Sequence, residues 1–83
     1  MGMRNIVVPV PEEVLDAEQA DEVSFARELS LMAALKLYEL GRLSSGRAAE
    51  LAGMSRIEFL DALKQYRVFP LQAELHEMES GHA

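Results

Sequence analysis

The chain contains no cysteine and only two histidines among its 83 residues. Without cysteine it can hold neither a disulfide framework nor a thiolate metal site. No apolar run approaches the ~18 residues of a membrane-spanning helix, and the N-terminal residues lack the apolar core of a signal peptide. We therefore expect a cytoplasmic protein that does not bind a membrane.

The sequence also lacks the residue patterns of an enzyme active site. The sequence shows no set of nucleophile, base and orienting group, no glycine-rich phosphate loop, and too little chain for a substrate pocket. Both histidines, His76 and His82, lie near the C-terminus. One imidazole beside Glu77 and Glu79 is a weak basis for a metal site. We expect no enzyme activity, no cofactor and no metal.

Chain length limits the architecture. Eighty-three residues form at most one small domain, which buries roughly 60–65% of its unfolded surface. A core this thin is commonly supplemented by oligomerisation. The hydrophobic content of 49% is nevertheless too high for a fully disordered chain.

Charge of one sign dominates, with a formal net charge of −6. Residues 12–22 carry six acidic side chains and no basic one, whereas residues 42–67 carry five basic and three acidic side chains. The acidic run is either a solvated face or an attraction for a basic partner. The middle of the chain is mildly basic, well short of the strong patch typical of a dedicated DNA-binding protein.

Residues 45–64 have the pattern of two short helices joined by a tight turn. Gly53 stands where the first helix ends and a positive φ is needed. Ser55 and Glu58 form the S-x-x-E pattern of a capping box at the start of the second helix. A helix-turn-helix of this kind is best known for placing its second helix in the DNA major groove. The residues expected to pack the two helices are Ala48, Ala49, Ala52, Ile57, Phe59 and Leu63.

A long helix is predicted over residues 24–40, with Ser24 as its N-cap and Gly41 at its end. Ser44 or Ser45 caps the helix that follows. Apolar residues cover more of this long helix than one stripe, which favours burial on more than one side and a dimer interface. The stripe at helical spacing comprises Phe25, Leu29, Met32, Ala33, Leu37 and Leu40, and Leu31, Leu35 and Tyr38 widen it.

The N-terminal residues 4–10 are short and β-branched, and form the only credible strand. Pro9 suits a strand edge because it has no N–H to donate. A single strand leaves its backbone groups unpaired, so this one needs a second copy or a partner protein. Pro11 is expected at the first position of a helical turn, while residues 16–21 fit either a short helix or an acidic loop.

These patterns predict a mainly α fold with a short N-terminal β-strand, a long helix and a helix-turn-helix. Residues 1–71 form a single domain, and residues 72–83 form an acidic, mobile C-terminal tail. The chain is predicted to be a homodimer with paired strands.

Residues 34–59, ALKLYELGRLSSGRAAELAGMSRIEF, closely resemble the signature of the UPF0175 family, A-x-x-L-Y-x-x-G-x-L-S-x-x-x-A-A-x-L-A-G-x-S-x-x-E-F. The resemblance covers roughly residues 4–71. It implies a DNA-binding antitoxin of a type II toxin–antitoxin pair, which neutralises a PIN-type ribonuclease toxin and represses its own operon. The chain departs from the family at residues 67–71, RVFPL, where a Gly-Ile-Pro-Val-like segment is usual.

Within the helix-turn-helix, Arg56 lies at the start of the second helix, where an arginine can donate two hydrogen bonds to guanine. The other candidate DNA contacts are to phosphates, from cationic side chains and from helix N-termini. Glu58 and Asp61 would repel phosphate, so the candidates are alternatively solvated surface. The candidate DNA-binding residues are Arg56, Ser55, Lys64, Arg47, Arg42, Ser45 and Arg67, with Ser44 beside them.

A second hypothesis needs no DNA. The chain is then a protein–protein interaction or assembly module that uses its helix-turn-helix only as a scaffold. The two hypotheses differ in where the five cations lie. DNA binding predicts that they share one face, and an assembly module predicts that they scatter.

Overall fold

Four helices, in a computed structural model that describes residues 2–69, account for the ordered secondary structure of that part of the chain. They are α1 (Glu12–Glu18), α2 (Glu22–Glu39), α3 (Ser45–Ala52) and α4 (Arg56–Gln65). The prediction of a mainly α protein is confirmed. The predicted tail over 72–83 and the domain boundary at residue 71 lie outside the described residues. No helix within 2–69 has the length and apolar character to cross a membrane.

Two predicted helix starts are wrong by one to three residues. Asp21, and not Ser24, is the N-cap of α2, and its carboxylate accepts a hydrogen bond of 2.8 Å from the Ser24 backbone N–H. A carboxylate accepts this bond well and also lies at the positive end of the helix dipole. Pro11 is likewise the N-cap of α1 and not its first residue.

The core is formed by α2, α3 and α4. The core residues of α2 are Ala34, Leu35 and Tyr38. Together with the half-buried Leu31, they form what we call the inner face of α2. The rings of Tyr38 and Phe59 meet edge to face, with centroids 5.6 Å apart and planes at 86°. Small side chains let α3 approach both neighbours closely. The remaining buried apolar residues are Ala48, Ala49, Ala62 and Leu63.

The predicted core stripe of α2 is only partly right. Met32 packs against the core, but Leu29 is 38% exposed and Leu40 is 55% exposed. The helix carries apolar residues almost all round, so spacing alone cannot say which stripe faces α3 and α4. Phe25, Leu29 and Ala33 lie on the opposite side from Tyr38, and we call them the outer face.

Ile57 also corrects a prediction. It was expected to pack in the core but is 74% exposed, whereas Phe59 and Leu63 are buried as expected. Residues two apart on a helix point in different directions, while residues four apart share a face. Ile57 therefore cannot share the buried face with Phe59.

The first ten described residues form neither helix nor strand within 2–69. A strand is defined by hydrogen bonds to a second strand, and the single chain offers none, so the predicted strand over 4–10 stays a prediction. The side chains of Ile6, Val8 and Val10 face the outer face of α2 across an open groove. Of residues 16–21, which fitted either a helix or a loop, residues 16–18 complete α1 and residues 19–21 connect it to α2; α1 buries no residue.

Candidate nucleic-acid interface

The turn between α3 and α4 has the predicted geometry. Gly53 has φ of 72°, and α3 ends on it. The Met54 N–H donates to the Ala49 carbonyl oxygen at 3.0 Å, the long-range bond of a Schellman motif. A Cβ on Gly53 would meet nothing within 4 Å. The requirement for glycine is therefore set by the backbone and not by space.

The start of α4 is closed by the predicted capping box. The Glu58 backbone N–H donates to the Ser55 hydroxyl at 3.1 Å, and the Ser55 backbone N–H donates to the Glu58 carboxylate at 2.8 Å. The backbone bond from Ser55 holds the pKa of Glu58 below its ordinary value. The first turn of α4 is therefore closed by two reciprocal hydrogen bonds and carries the Glu58 carboxylate.

Arg56 and Ser45 are in contact. The Arg56 Nε–H donates to the Ser45 hydroxyl oxygen at 2.9 Å. Ser45 is the first residue of α3 and has no exposed surface. This bond ties the first turn of α4 to the first turn of α3 and orients the guanidinium plane. Ser45 is thus placed inside the protein, where its side chain supports Arg56 instead of facing an external phosphate.

Arg47 has local partners on α3. Its backbone N–H donates to the Ser44 hydroxyl at 3.2 Å, so Ser44 is the N-cap of α3. Its guanidinium Nη1 lies 3.0 Å from a carboxylate oxygen of Glu50, and both side chains are more than 60% exposed. An exposed ion pair of this kind contributes little to stability, about 0–1 kcal/mol. Arg47 can therefore exchange Glu50 for another anion with little loss.

Three further cations, Arg42, Lys64 and Arg67, are exposed. Arg42 lies in the connection between α2 and α3, and Lys64 lies in the last turn of α4. Arg67 follows α4 with a left-handed φ of 55°. Within residues 2–69 the ion pairs are Lys36–Glu39 and Arg47–Glu50, so none of these three is neutralised by a described carboxylate.

The structure brings some of the seven candidates together and separates others. Ser45 and Arg56 touch, and Lys64 and Arg67 line one groove. Arg56 and Lys64 are eight residues apart on α4, which separates them by about 12 Å along the helix axis. Arg56 and Lys64 therefore lie near opposite ends of α4, while Arg47 lies on α3 and Arg42 lies before it.

The exposed face of α4 is mixed in character. Residues at helical spacing, Ile57, Leu60, Asp61 and Lys64, line a groove with Val68 and Phe69. Ile57 is 74% exposed and Phe69 is 78% exposed. The contribution of Ile57 to this apolar surface was not predicted, because Ile57 was expected in the core. The offset of two residues from Phe59 was the signal that could have found it.

Within the described part of the chain, no three or more His, Asp or Glu side chains are grouped so that they could hold a metal ion. The speculative cluster around His76 lies outside residues 2–69.

Comparison with known proteins gives the same family as the motif. The profile of the family described as "Uncharacterised protein family (UPF0175)" matches residues 1–81. A "UPF0175 protein" from Aeropyrum pernix is 33% identical over 79 residues, covering 95% of this chain and 83% of the relative. Another, from Archaeoglobus fulgidus, is 40% identical over 58 residues, covering 70% of this chain and 66% of the relative. No solved structure matches the chain. The capped helix-turn-helix described above thus lies in a protein that belongs to the UPF0175 family.

Proposed function

We propose that this protein is a DNA-binding antitoxin of a type II toxin–antitoxin pair. In this role it neutralises a PIN-type ribonuclease toxin in the cytoplasm, represses its own operon, and works by binding, not by catalysis. The observation that carries the proposal is the pair α3–α4, closed by Gly53 and the capping box, with Arg56 oriented at the start of α4. The toxin half of the proposal rests on what the resemblance of residues 34–59 to the UPF0175 signature implies.

On DNA, the first turn of α4 would enter the major groove. Arg56 would donate to the O6 and N7 atoms of a guanine, a geometry that suits its planar fork. Because its Nε–H is already bonded to Ser45, less side-chain entropy is lost on binding. The exposed Ile57 would lie next to a base edge, where an apolar side chain fits a thymine methyl group.

Phosphate contacts would come from the exposed cations around α3 and α4. These contacts set orientation and most of the salt dependence, and they carry no sequence information. They would be made by Arg42, Arg47, Lys64 and Arg67, assisted by the N-terminus of α4 at Ser55. A homodimer would present two such units to an operator with two-fold symmetry.

Toxin binding would use the acidic N-terminal half. Residues 12–22 carry six acidic side chains and no basic one, and Glu12, Glu13 and Glu22 are exposed at the starts of α1 and α2. A ribonuclease that grips RNA offers a basic surface, and opposite potentials speed association and favour the correct partner. The acidic residues 12–22 and the mildly basic residues 42–67 would thus serve different partners.

The first test is binding to the DNA upstream of the protein's own gene across a salt series, with and without the neighbouring gene product. We expect sequence-preferring binding whose affinity falls with salt and changes when the neighbour is added. Lys64→Ala should reduce the salt slope by about 1. The matched control is Lys36→Ala, because Lys36 is an exposed cation on α2 that pairs with Glu39, away from the helix-turn-helix.

The role of Arg56 is tested with two variants, because its side chain also donates a hydrogen bond to the buried Ser45 hydroxyl. Arg56→Ala should weaken specific binding by about 1–3 kcal/mol. Arg56→Lys keeps the charge but lacks the planar fork, so it should restore non-specific affinity and not base preference. Thermal unfolding of both variants separates lost recognition from lost stability. If Arg56→Ala and Lys64→Ala both keep full affinity, the assigned DNA face is wrong.

The apolar face of α4 favours the second candidate function, a protein-interaction module. Ile57 and Phe69 are exposed and line the same groove as Asp61. The Asp61 carboxylate on this exposed face of α4 would repel a phosphate. This function predicts no DNA binding above the non-specific level. It also predicts a complex with the neighbouring gene product that Ile57→Ser disrupts, measured by calorimetry, while Lys36→Ala leaves it intact.

A further inference from the structure

We propose that residues 4–10 pair with the same residues of a second copy of this chain in an antiparallel ribbon, with Val7 on the two-fold axis, and that this ribbon covers the outer face of α2. The interface does not depend on DNA binding, so its failure and the failure of the proposed function are separate results.

The backbone of this segment has nothing to pair with in the single chain. Among the described residues, none of the backbone hydrogen bonds outside the helices involves residues 2–10. Extended β-branched segments with unpaired N–H and C=O groups are templates for pairing with another strand. The side chains alternate in part as in a strand: Ile6, Val8 and Val10 line the groove and Val7, which is 93% exposed, does not, although Pro9 lines it as well.

The groove under this segment is apolar and open. It has a volume of about 570 Å³ and is walled by Phe25, Leu29 and Ala33 of the outer face, with Leu51 of α3. Residues 6–10 only partly cover it, since Ile6 is still 83% exposed and Val8 is 52% exposed. Residues 6–10 of one chain are too narrow to cover the outer face of α2. A two-stranded ribbon doubles the apolar surface laid over it.

Charge selects a second copy in the antiparallel direction. The segment begins with a cation at Arg4 and runs into carboxylates at Glu12 and Glu13. Antiparallel pairing of two copies places each Arg4 beside the other copy's acidic end, and both ends are matched at once. Parallel pairing places Arg4 next to Arg4 and glutamates next to glutamates, and like charges opposite one another are destabilising.

Pro9 restricts the register, and full overlap of residues 4–10 in the two copies centres it on Val7. Opposed residues in an antiparallel pair alternate between hydrogen-bonded and non-hydrogen-bonded positions, and Pro9 has no N–H to donate. With Val7 opposite Val7, Pro9 lies opposite Asn5 in a non-hydrogen-bonded pair. Ile6 lies opposite Val8 in a hydrogen-bonded pair, so every donor that the register requires is present.

The test uses the absence of cysteine from the chain. In the proposed register, Val7→Cys brings two thiols to the axis, with Cα atoms about 4.5 Å apart, within the range a disulfide spans. The matched control is Asn5→Cys, whose two copies would be four residues out of alignment, about 13 Å apart. Val7 is 93% exposed and Asn5 is exposed, so neither change should disturb folding.

Sedimentation of the unmodified full chain and mild oxidation of the two variants give the outcomes. We expect a dimer in solution, and a covalent dimer from Val7→Cys under conditions that leave Asn5→Cys uncrosslinked. Equal crosslinking of both variants would overturn the antiparallel register. A monomer mass with no crosslinking of Val7→Cys would overturn the interface.

Discussion

The two sides of α2 differ sharply although they have nearly the same composition. Leu35 on the inner face is 4% exposed, and Leu29 on the outer face is 38% exposed. The inner face is covered by α3 and α4, while within residues 2–69 the outer face borders an open groove. The residues that line this groove from outside α2 are Ile6, Val8, Pro9, Val10, Leu15 and Leu51. One side of the helix therefore holds the fold together. The other side is only partly covered by the described residues.

The largest predicted effect tests this contrast with two substitutions of the same kind. Leu35→Ala should lower the free energy of unfolding by about 2–5 kcal/mol, because it leaves a cavity between three helices. Leu29→Ala should lower it by less than about 1 kcal/mol at low protein concentration, since Leu29 is already partly in water. Urea unfolding of both variants measures the difference.

Unfolding the Leu29→Ala and Leu35→Ala variants at several protein concentrations tests the comparison further. If a second copy covers the outer face, the effect of Leu29→Ala should grow as the protein concentration rises, whereas that of Leu35→Ala should not. Equal losses for both variants at low concentration would contradict the distinction between the two faces.

The second-largest effect on stability is predicted at Gly53, in the turn between α3 and α4. Gly53→Val should destabilise by about 1–3 kcal/mol, because a β-branched residue is strained at a φ of 72°. Gly46→Ala is the control, since Gly46 lies within α3 and an added Cβ meets nothing within 4 Å. It should stabilise by about 0.5–1 kcal/mol. If thermal unfolding shows the melting temperature shifting in the same direction for both variants, then the available space, and not the backbone conformation, determines the effect of substituting these glycines.

Helix caps give a smaller effect. Ser55→Ala should cost about 1 kcal/mol, because it leaves the Glu58 N–H without its acceptor. Ser24→Ala should cost less, because the Asp21 side chain caps α2 and Ser24 supplies mainly its backbone N–H. A larger loss from Ser24→Ala than from Asp21→Ala, in urea unfolding, would contradict this assignment.

The smallest effect is the response to acid. The pKa values of Glu58 and Asp21 are both lowered, first of all by backbone N–H groups that donate to their carboxylates. Because the folded pKa is the lower one, their stabilisation is present above the ordinary values of 4.5 and 3.8. It is lost as pH falls through the lowered pKa values. Glu58→Gln should therefore flatten the fall in melting temperature between neutral pH and about pH 3, measured by circular dichroism.

The helix-turn-helix was readable from the sequence because its signals are local. Gly53, Ser55 and Glu58 act within a few residues of one another, and the structure confirms each. The buried alanines Ala48 and Ala49 were readable for the same reason, since they mark a close helix contact.

Signals that depend on distant residues were harder to read. The sequence could not choose between the faces of α2, because the choice depends on where α3 and α4 lie. At Ser45 the hydroxyl is a sound cap by residue type, but Ser44 caps the helix and Ser45 supports a side chain 11 residues away. The predicted N-terminal strand stays a prediction, because its pairing would need atoms that the single chain does not contain.

The bond between Arg56 and Ser45 has a consequence for how such a protein could change its target. Ser45 is fully buried, and a buried hydroxyl that loses its partner is destabilising by about 1–3 kcal/mol. Replacing Arg56 to recognise a different ligand would therefore also weaken the contact between α3 and α4. Positions 45 and 56 form a single unit for redesign, so a new specificity is best sought by changing both residues in one step.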